Sequence, residues 1–396
     1  MKILHITPCY KPAWAFGGPV NSISLLCQQL VKLNNEMVVY TTNSAKEGIL
    51  DVPVGKTVEV DGVKVIYFPC SFKKDNPFYS SALNKKVLSS VKEFDIVHVS
   101  SIWQYHQIAA TKACKKYEIP CIISTRGSFQ RWPLSQKSMK KRIYWFLFGK
   151  KSLKDASALH FTSLLERKET LEAIPYVSNF IVPNGINIDP YYKKRDIRKE
   201  IGISPDAFLF LFLGRIHRKK GIDLIIKALN KIRNKNVFFL IVGKIDDKSY
   251  FNDLKRLVAD FQLKSKVIFY GGVPKEEVKD FYSNSDLMVL TSHSENFANV
   301  VPEAMGCGLP VFISRYVGIW QEVLIDEAGF VVDCNVEKIT QKLKEIVTNR
   351  EILNGVSSNA IKSAQRRYSL ESTASLMMQA YEDVLINKRS DGLQWE

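Results

Sequence analysis

At 396 residues and 46% hydrophobic side chains, the chain is too long for one ordinary core and apolar enough for two. Its formal net charge is +16, and residues 1–190 hold 25 Lys/Arg against 14 Asp/Glu, so the amino-terminal half is the basic one. No run of about 18 apolar residues occurs, and the seven cysteines are scattered without a Cys-x-x-Cys pair, which argues against a membrane-spanning helix, a disulfide framework and a cysteine zinc site.

The opening residues, Met1 to Pro8, read as a strand running into a loop with no room for a signal peptide, so a cytosolic protein is expected. Strands are predicted at 3–7, 38–41, 63–68, 96–99, 121–124 and 158–162, with helical patterns such as 19–33 and 107–117 between them. That alternation is the rhythm of a doubly wound α/β domain. Within it, residues 126–154 carry nine cationic side chains and no acidic one, a block suited to nucleic acid, an anionic membrane surface or a phosphorylated substrate. Part of this block, 137–154, mixes its cations with Ile143, Trp145, Phe146, Leu147 and Phe148. It reads equally as an interfacial helix on anionic lipid and as a domain helix with a buried aromatic face. After Val182-Pro183-Asn184-Gly185 the polar stretch 189–199, with Pro190 and Pro205 near its ends, is the best linker. A second alternation follows, with strands at 208–213, 237–242, 267–270, 287–290, 311–314 and 329–332, then an amphipathic helix over 370–387. The chain therefore reads as two Rossmann-type domains in series. Ligands of such sheets bind outside the carboxyl ends of the strands, so functional residues are sought there.

Three segments meet that condition. Phe16-Gly17-Gly18-Pro19-Val20 follows the first strand and opens a helix, where a glycine pair lets backbone N–H groups reach a phosphate or sugar. No third glycine arrives at dinucleotide spacing. Gly214-Arg215 to Lys220-Gly221 follows the 208–213 strand, and a guanidinium fork with an ammonium suits a diphosphate leaving group. The run Ser294-Glu295-Asn296-Phe297-Ala298-Asn299-Val300-Val301-Pro302-Glu303 carries two glutamates across a loop-to-helix junction, with Pro302 expected at the first helical position. Glu303, in the first turn, would repel a phosphate and is assigned to ribose hydroxyls; Glu295, on the loop, is left for the transferred sugar. Recognition of the base is expected from backbone near Gly243 and Gly272-Val273.

Taken together, Gly17-Gly18, Gly214-Arg215, Lys220-Gly221, the Glu295 and Glu303 pair and the Val182 to Gly185 connector resemble glycosyltransferase family 4, retaining enzymes of the GT-B fold that use sugar nucleotides. The resemblance runs from about residue 2 to 385. It implies two Rossmann-like domains facing each other across a deep cleft: 1–185 for the acceptor, 186–368 for the nucleotide sugar, and a terminal helix within 369–396 that crosses back to the first. By the same resemblance Arg215 and Lys220 hold the diphosphate, Glu303 the ribose, and Glu295, with the backbone of Asn296, Phe297, Ala298, Asn299 and Val300, the donor sugar. It further implies transfer of a hexose from a UDP- or GDP-linked donor to a glycan or lipid-linked glycan, as in bacterial surface polysaccharide synthesis.

The chain departs from that pattern at three places. Where many members have Glu-Gly-Phe-Gly it has Glu295-Asn296-Phe297-Ala298, a less permissive loop. Where many carry a histidine near the donor sugar's C6 hydroxyl, Arg126 stands in Thr125-Arg126-Gly127-Ser128, and arginine does not deprotonate at neutral pH, so no general base is expected there. Ser100 stands where a second histidine is common, and neighbouring His98 is read as structural. No Asp-x-Asp occurs, and Asp246-Asp247 reads as a turn without further ligands, so neither an essential divalent ion nor a cofactor beyond the sugar-nucleotide co-substrate is expected. Two rival readings remain: a GT-B-type sugar-nucleotide epimerase, for which no acid/base pair is found, and a basic nucleic-acid-binding protein, for which no stacking-aromatic motif is found.

Overall fold

The computed structural model describes residues 1–71, 78–130, 145, 149–175, 177–188, 195–232 and 236–389. The chain divides into two compact units, one formed by Met1–Gly185 with Leu370–Glu396 and the other by Ile186–Ser369. The carboxyl-terminal helix, Leu370–Arg389, thus belongs to the first unit, where it packs on the Gly18–Lys32 helix.

Among the described residues the first unit has one sheet in the order β3-β4-β2-β1-β5-β6-β7-β8. These strands are β1 (Lys2–Ile6), β2 (Glu36–Thr42), β3 (Thr57–Val60), β4 (Val63–Phe68), β5 (Ile96–Ser100), β6 (Cys121–Ser124), β7 (Ala158–Phe161) and β8 (Asn179–Ile181). All neighbours are parallel except β3 with β4, joined through Asp61-Gly62, whose φ angles of 50° and 79° suit a two-residue hairpin turn. Neither β3 nor β8 was expected, although the Asp-Gly pair signals the hairpin. The two-residue side-chain period sorts the core onto two faces: Leu4, Val97, Ile123 and Leu159 on one, Ile3, Ile96, Ile122 and Ala158 on the other. Met377, Tyr381 and Val384 of the terminal helix cover the second face.

In the second unit six parallel strands run in the order β11-β10-β9-β12-β13-β14. They are β9 (Phe208–Leu213), β10 (Val237–Val242), β11 (Val267–Gly271), β12 (Leu287–Leu290), β13 (Val311–Ser314) and β14 (Gly329–Val332). Central β9, Phe-Leu-Phe-Leu-Phe-Leu, is apolar on both faces because helices cover both, and Phe208, Phe210 and Phe212 are at most 1% exposed. The chain order reverses between β9 and β12, which leaves a crevice at their carboxyl ends. Of the predicted linker, 189–194 lies outside the described residues, while its end forms the short Ile197–Glu200 helix, tied to the unit by Arg198 and Asp286 at 2.6 Å.

Candidate functional site

The reversal of strand order in the second sheet brings together two loops about 80 residues apart in sequence, those after β9 and after β12. Thr291 Oγ1 donates to the Gly221 carbonyl at 2.9 Å, and the His293 N–H donates to the Lys219 carbonyl at 2.8 Å. Gly221, at φ 63°, lies so close to Thr291 that a Cβ would stand 2.2 Å from its carbonyl oxygen, so only glycine permits the approach. Lys220 thereby meets Glu295, with Nζ 2.8 Å from Oε1 and both side chains under 15% exposed. Burial acts to raise the Glu295 pKa, but the charges of Lys220, Lys219 and Arg215 outweigh it and hold the carboxylate below its ordinary range. The Glu295 backbone is fixed by its N–H to the Tyr316 carbonyl at 2.8 Å.

Arg215 is exposed, and its Nη1 lies 2.7 Å from Asp246 Oδ2. An exposed pair of this kind contributes little stability, so an incoming dianion can take the guanidinium at small cost. Asp247, read with Asp246 as a turn without further ligands, caps the Lys248–Asp260 helix, accepting from the Tyr250 N–H at 2.9 Å. Among the described residues no three His, Cys, Asp or Glu side chains come together as a metal site.

Glu303 sits in the first turn of the Val300–Gly306 helix, which starts two residues earlier than expected and makes Pro302 its third residue. Proline is tolerated there because first-turn N–H groups have no intrahelical acceptor. Tyr282 Oη donates to Glu303 Oε2 at 3.3 Å. Burial raises the Glu303 pKa, opposed by Lys275, by that hydrogen bond and by Lys279. In the connecting loop Phe297 points inward, 3% exposed and 5.6 Å from the Tyr368 ring, so only its backbone remains for a ligand. Ala298 adopts φ 65°, a conformation glycine takes without strain. Val300 packs partly on the core. Gly243 follows β10 with its N–H on the Gly271 carbonyl at 2.7 Å, and Val273 lies against the same core. Lys219, Lys275, Lys279 and Tyr282 were missed by sequence reading; the lysines lie within charged runs that resemble any solvated turn, and Tyr282 lies in the short Val278–Ser283 helix, which the sequence reading did not single out.

In the first unit, Gly17 at φ 78° ends a 3-10 turn, Trp14–Phe16, and caps the Gly18–Lys32 helix without a side-chain capping hydrogen bond. Arg126 follows β6 at φ 51°, partly buried, with Nη1 donating to Asn184 Oδ1 at 2.8 Å; burial lowers its pKa. His98 is buried with a hydrogen bond at each ring nitrogen, and it is not a lone histidine. Strand periodicity puts His5, His98 and His160 on one face beneath the terminal helix, and all are at most 2% exposed. The Val182 carbonyl can only accept, so His160 Nε2–H donates to it at 2.8 Å and its Nδ1 accepts from Ser124 Oγ at 2.6 Å. Ser124 then accepts from His98 Nε2–H at 2.6 Å, and His98 Nδ1 accepts from Tyr381 Oη at 2.7 Å. One neutral tautomer of each ring satisfies the whole relay. Of the aromatic-cationic stretch 137–154, residues 137–144 and 146–148 lie outside the described residues. Trp145 packs inward, 5.2 Å from Phe129, and the Lys150–Lys154 helix buries Leu153.

No helix among the described residues is long and apolar enough to cross a membrane. The fold is similar to that of HepE from Anabaena in complex with UDP and glucose, with a TM-score of 0.75 and 18% identity over 96% of this chain and 99% of that one. Among curated proteins the chain is 22% identical to D-inositol 3-phosphate glycosyltransferase of Xylanimonas cellulosilytica, over 96% of this chain and 95% of the relative. It is 26% identical to the UDP-Gal:alpha-D-GlcNAc-diphosphoundecaprenol alpha-1,3-galactosyltransferase of Escherichia coli, over 83% and 86%. The Glycosyltransferase Family 4 model matches residues 16–190, which runs five residues past the Gly185–Ile186 division, and the Glycosyl transferases group 1 model matches 193–363, within the second unit. With most of its length matched, and with the second unit holding cations and carboxylates at the crevice of its sheet, the chain belongs to the family 4, group 1 glycosyltransferases.

Proposed function

We propose that this enzyme transfers a hexose, with retention at the anomeric carbon, from a UDP- or GDP-linked donor to a glycan or lipid-linked glycan in the synthesis of a bacterial surface polysaccharide. The observation that carries the reading is the buried Lys220–Glu295 pair beside Arg215 at the reversal point of the second sheet. The Glu295 carboxylate and the Lys220 ammonium neutralise each other in the crevice. When a diphosphate arrives, its charge draws Lys220 and Arg215, and Glu295 is released to accept hydrogen bonds from sugar hydroxyls. Glu303 accepts from the ribose, and the backbone near Gly243 and Val273 meets the base. The backbone of Gly17 and Gly18 serves a phosphate or sugar oxygen.

The acceptor hydroxyl attacks the anomeric carbon from the face the diphosphate leaves, and a departing phosphate oxygen takes the hydroxyl proton. Charge growing on the leaving group is met by Arg215 and Lys220, a role that a metal ion fills in other enzymes. Arg126 serves as a hydrogen-bond donor to sugar hydroxyls, since it cannot act as a base. The name of the Escherichia coli relative, whose acceptor is diphosphoundecaprenol-linked, supports a lipid-linked acceptor and with it a peripheral position on the cytoplasmic face of the membrane, to which the basic stretch 137–154 would contribute.

A thermal-shift screen with UDP, GDP and ADP tests the donor site, since a ligand at about 100 times its Kd stabilises a fold by about 2.7 kcal/mol. One of the three should raise Tm in the presence of EDTA. Glu295→Ala should keep that shift and lose roughly 100-fold or more in kcat. No shift with any nucleotide, or full activity in Glu295→Ala, would sink the reading.

A further inference from the structure

Glu166 is fully buried in the first turn of the Leu164–Ala173 helix. Ser163-Leu164-Leu165-Glu166 has the form of a capping box, and Ser163 Oγ does accept from the Glu166 N–H at 3.2 Å. In a simple box the glutamate would turn back onto the capping residue. Here it turns elsewhere: Oε2 accepts from the Thr162 N–H and hydroxyl, each at 2.8 Å, while Oε1 crosses to the turn after β6 and accepts from Thr125 Oγ1 at 2.7 Å and the Gly127 N–H at 2.5 Å. Between those last two residues stands Arg126, at a φ that costs a side-chain-bearing residue about 1 kcal/mol or more. Such a conformation persists only where its surroundings over-determine it.

A carboxylate near a partly buried arginine ordinarily takes the guanidinium in a forked pair. Glu166 does not, because two hydroxyls and two backbone N–H groups already occupy its oxygens. Its charge still favours the Arg126 cation through space. The guanidinium keeps one hydrogen bond, to Asn184, and its Nε has no partner among the described residues. We propose that Glu166 is the positioning residue for Arg126: it clamps the 125–127 turn and balances the arginine's charge without consuming its donors, which stay open to sugar oxygens. The inference rests on assigning Arg126 to the sugar; Glu166 itself touches no ligand.

Glu166→Gln keeps the volume but replaces one accepting oxygen by an NH2 group, so one side of the clamp must open. The first measurement needs no substrate. Crystal structures of wild type and Glu166→Gln should show Arg126 leaving the left-handed region or losing Asn184; an unchanged turn overturns the proposal. The second is a double-mutant cycle on UDP release from UDP-glucose and GDP release from GDP-mannose. Glu166→Gln and Arg126→Ala should each lower kcat at least tenfold with nucleotide Kd within twofold of wild type, and the double variant should be no slower than Arg126→Ala. Losses that multiply in the double variant overturn the proposal. If Glu166→Gln does not fold, Thr125→Val, which removes one bond of the clamp, replaces it in both measurements. Wild-type turnover of Arg126→Ala would overturn the assignment of Arg126 and this inference with it, whereas a wild type inactive on both donors would count against the donor reading and leave the structural measurement to decide the clamp.

Discussion

Glu303 keeps a carboxylate where burial penalises its charge, with one long hydrogen bond from Tyr282 as direct support. A raised pKa in the folded state means that the unfavourable contribution appears as pH rises through that value and vanishes below the unfolded one. Glu303→Gln is therefore expected to raise Tm at pH 8 relative to wild type. The same substitution removes a charged acceptor from the ribose, a bond of about 1.5–3 kcal/mol, so nucleotide affinity should fall roughly 10- to 100-fold. Calorimetric titration with the nucleotide that stabilises wild type, alongside thermal melts, checks both halves; a variant that is both less stable and fully competent to bind would contradict the assignment. Wild-type affinity should also weaken as pH is lowered from 7 toward 5, because Glu303 protonates earlier than a free carboxylate, and this dependence should flatten in Glu303→Gln.

The terminal helix owes its place to apolar contacts by Met377, Tyr381 and Val384, and its register to a polar tie. Tyr381 Oη is the first donor of the relay through His98, Ser124 and His160 to the Val182 carbonyl. Tyr381→Phe keeps the ring and leaves His98 Nδ1 buried without a donor, which should cost about 1–3 kcal/mol. Urea unfolding should show a lower midpoint with an unchanged m-value, and nucleotide binding should be preserved because Arg215, Lys220 and Glu303, the side chains proposed to hold the diphosphate and ribose, belong to the second unit. An unchanged midpoint would mean that the helix is held by its apolar face alone.

On the scale of the whole chain, four of the six histidines are buried in the first unit. Burial depresses His5 and His160 to about 3 and His106 to about 4, and carries His98 well below its ordinary value. A histidine that is neutral when folded binds its proton only on unfolding, so stability is lost as pH falls from about 6.5 toward those values, on the order of 1 kcal/mol per pH unit for each ring. In the second unit Asp326, held low by Arg367, Ser363 and Arg366, loses its contribution only below the ordinary carboxylate range. Hydrogen exchange at pH 5 should therefore show peptides of 1–185 and 370–389 losing protection before those of 186–369. Simultaneous loss would mean that the two units unfold as one.

The sequence by itself determined the strands that carry the two sheets and the segments that end at their carboxyl edges, because both are local: an apolar run makes a buried strand, and glycine, proline and charge mark where it stops. It also set Arg215 and Lys220 in the segment after β9, and Glu295 and Glu303 in the loop and first helical turn that follow β12. It did not show β3, where Asp61-Gly62 was the available sign, or β8, three residues long and without a distinctive pattern. What only the tertiary structure decided is which of these groups are already occupied. Lys220 meets Glu295 because strand order reverses between β9 and β12, His98 joins His5 and His160 because β5 lies beside β1 and only β6, with Ser124, separates it from β7, and Glu166 leaves its capping box because the turn after β6 lies beside it. Those pairings depend on strand neighbours distant in sequence, and no local period encodes them.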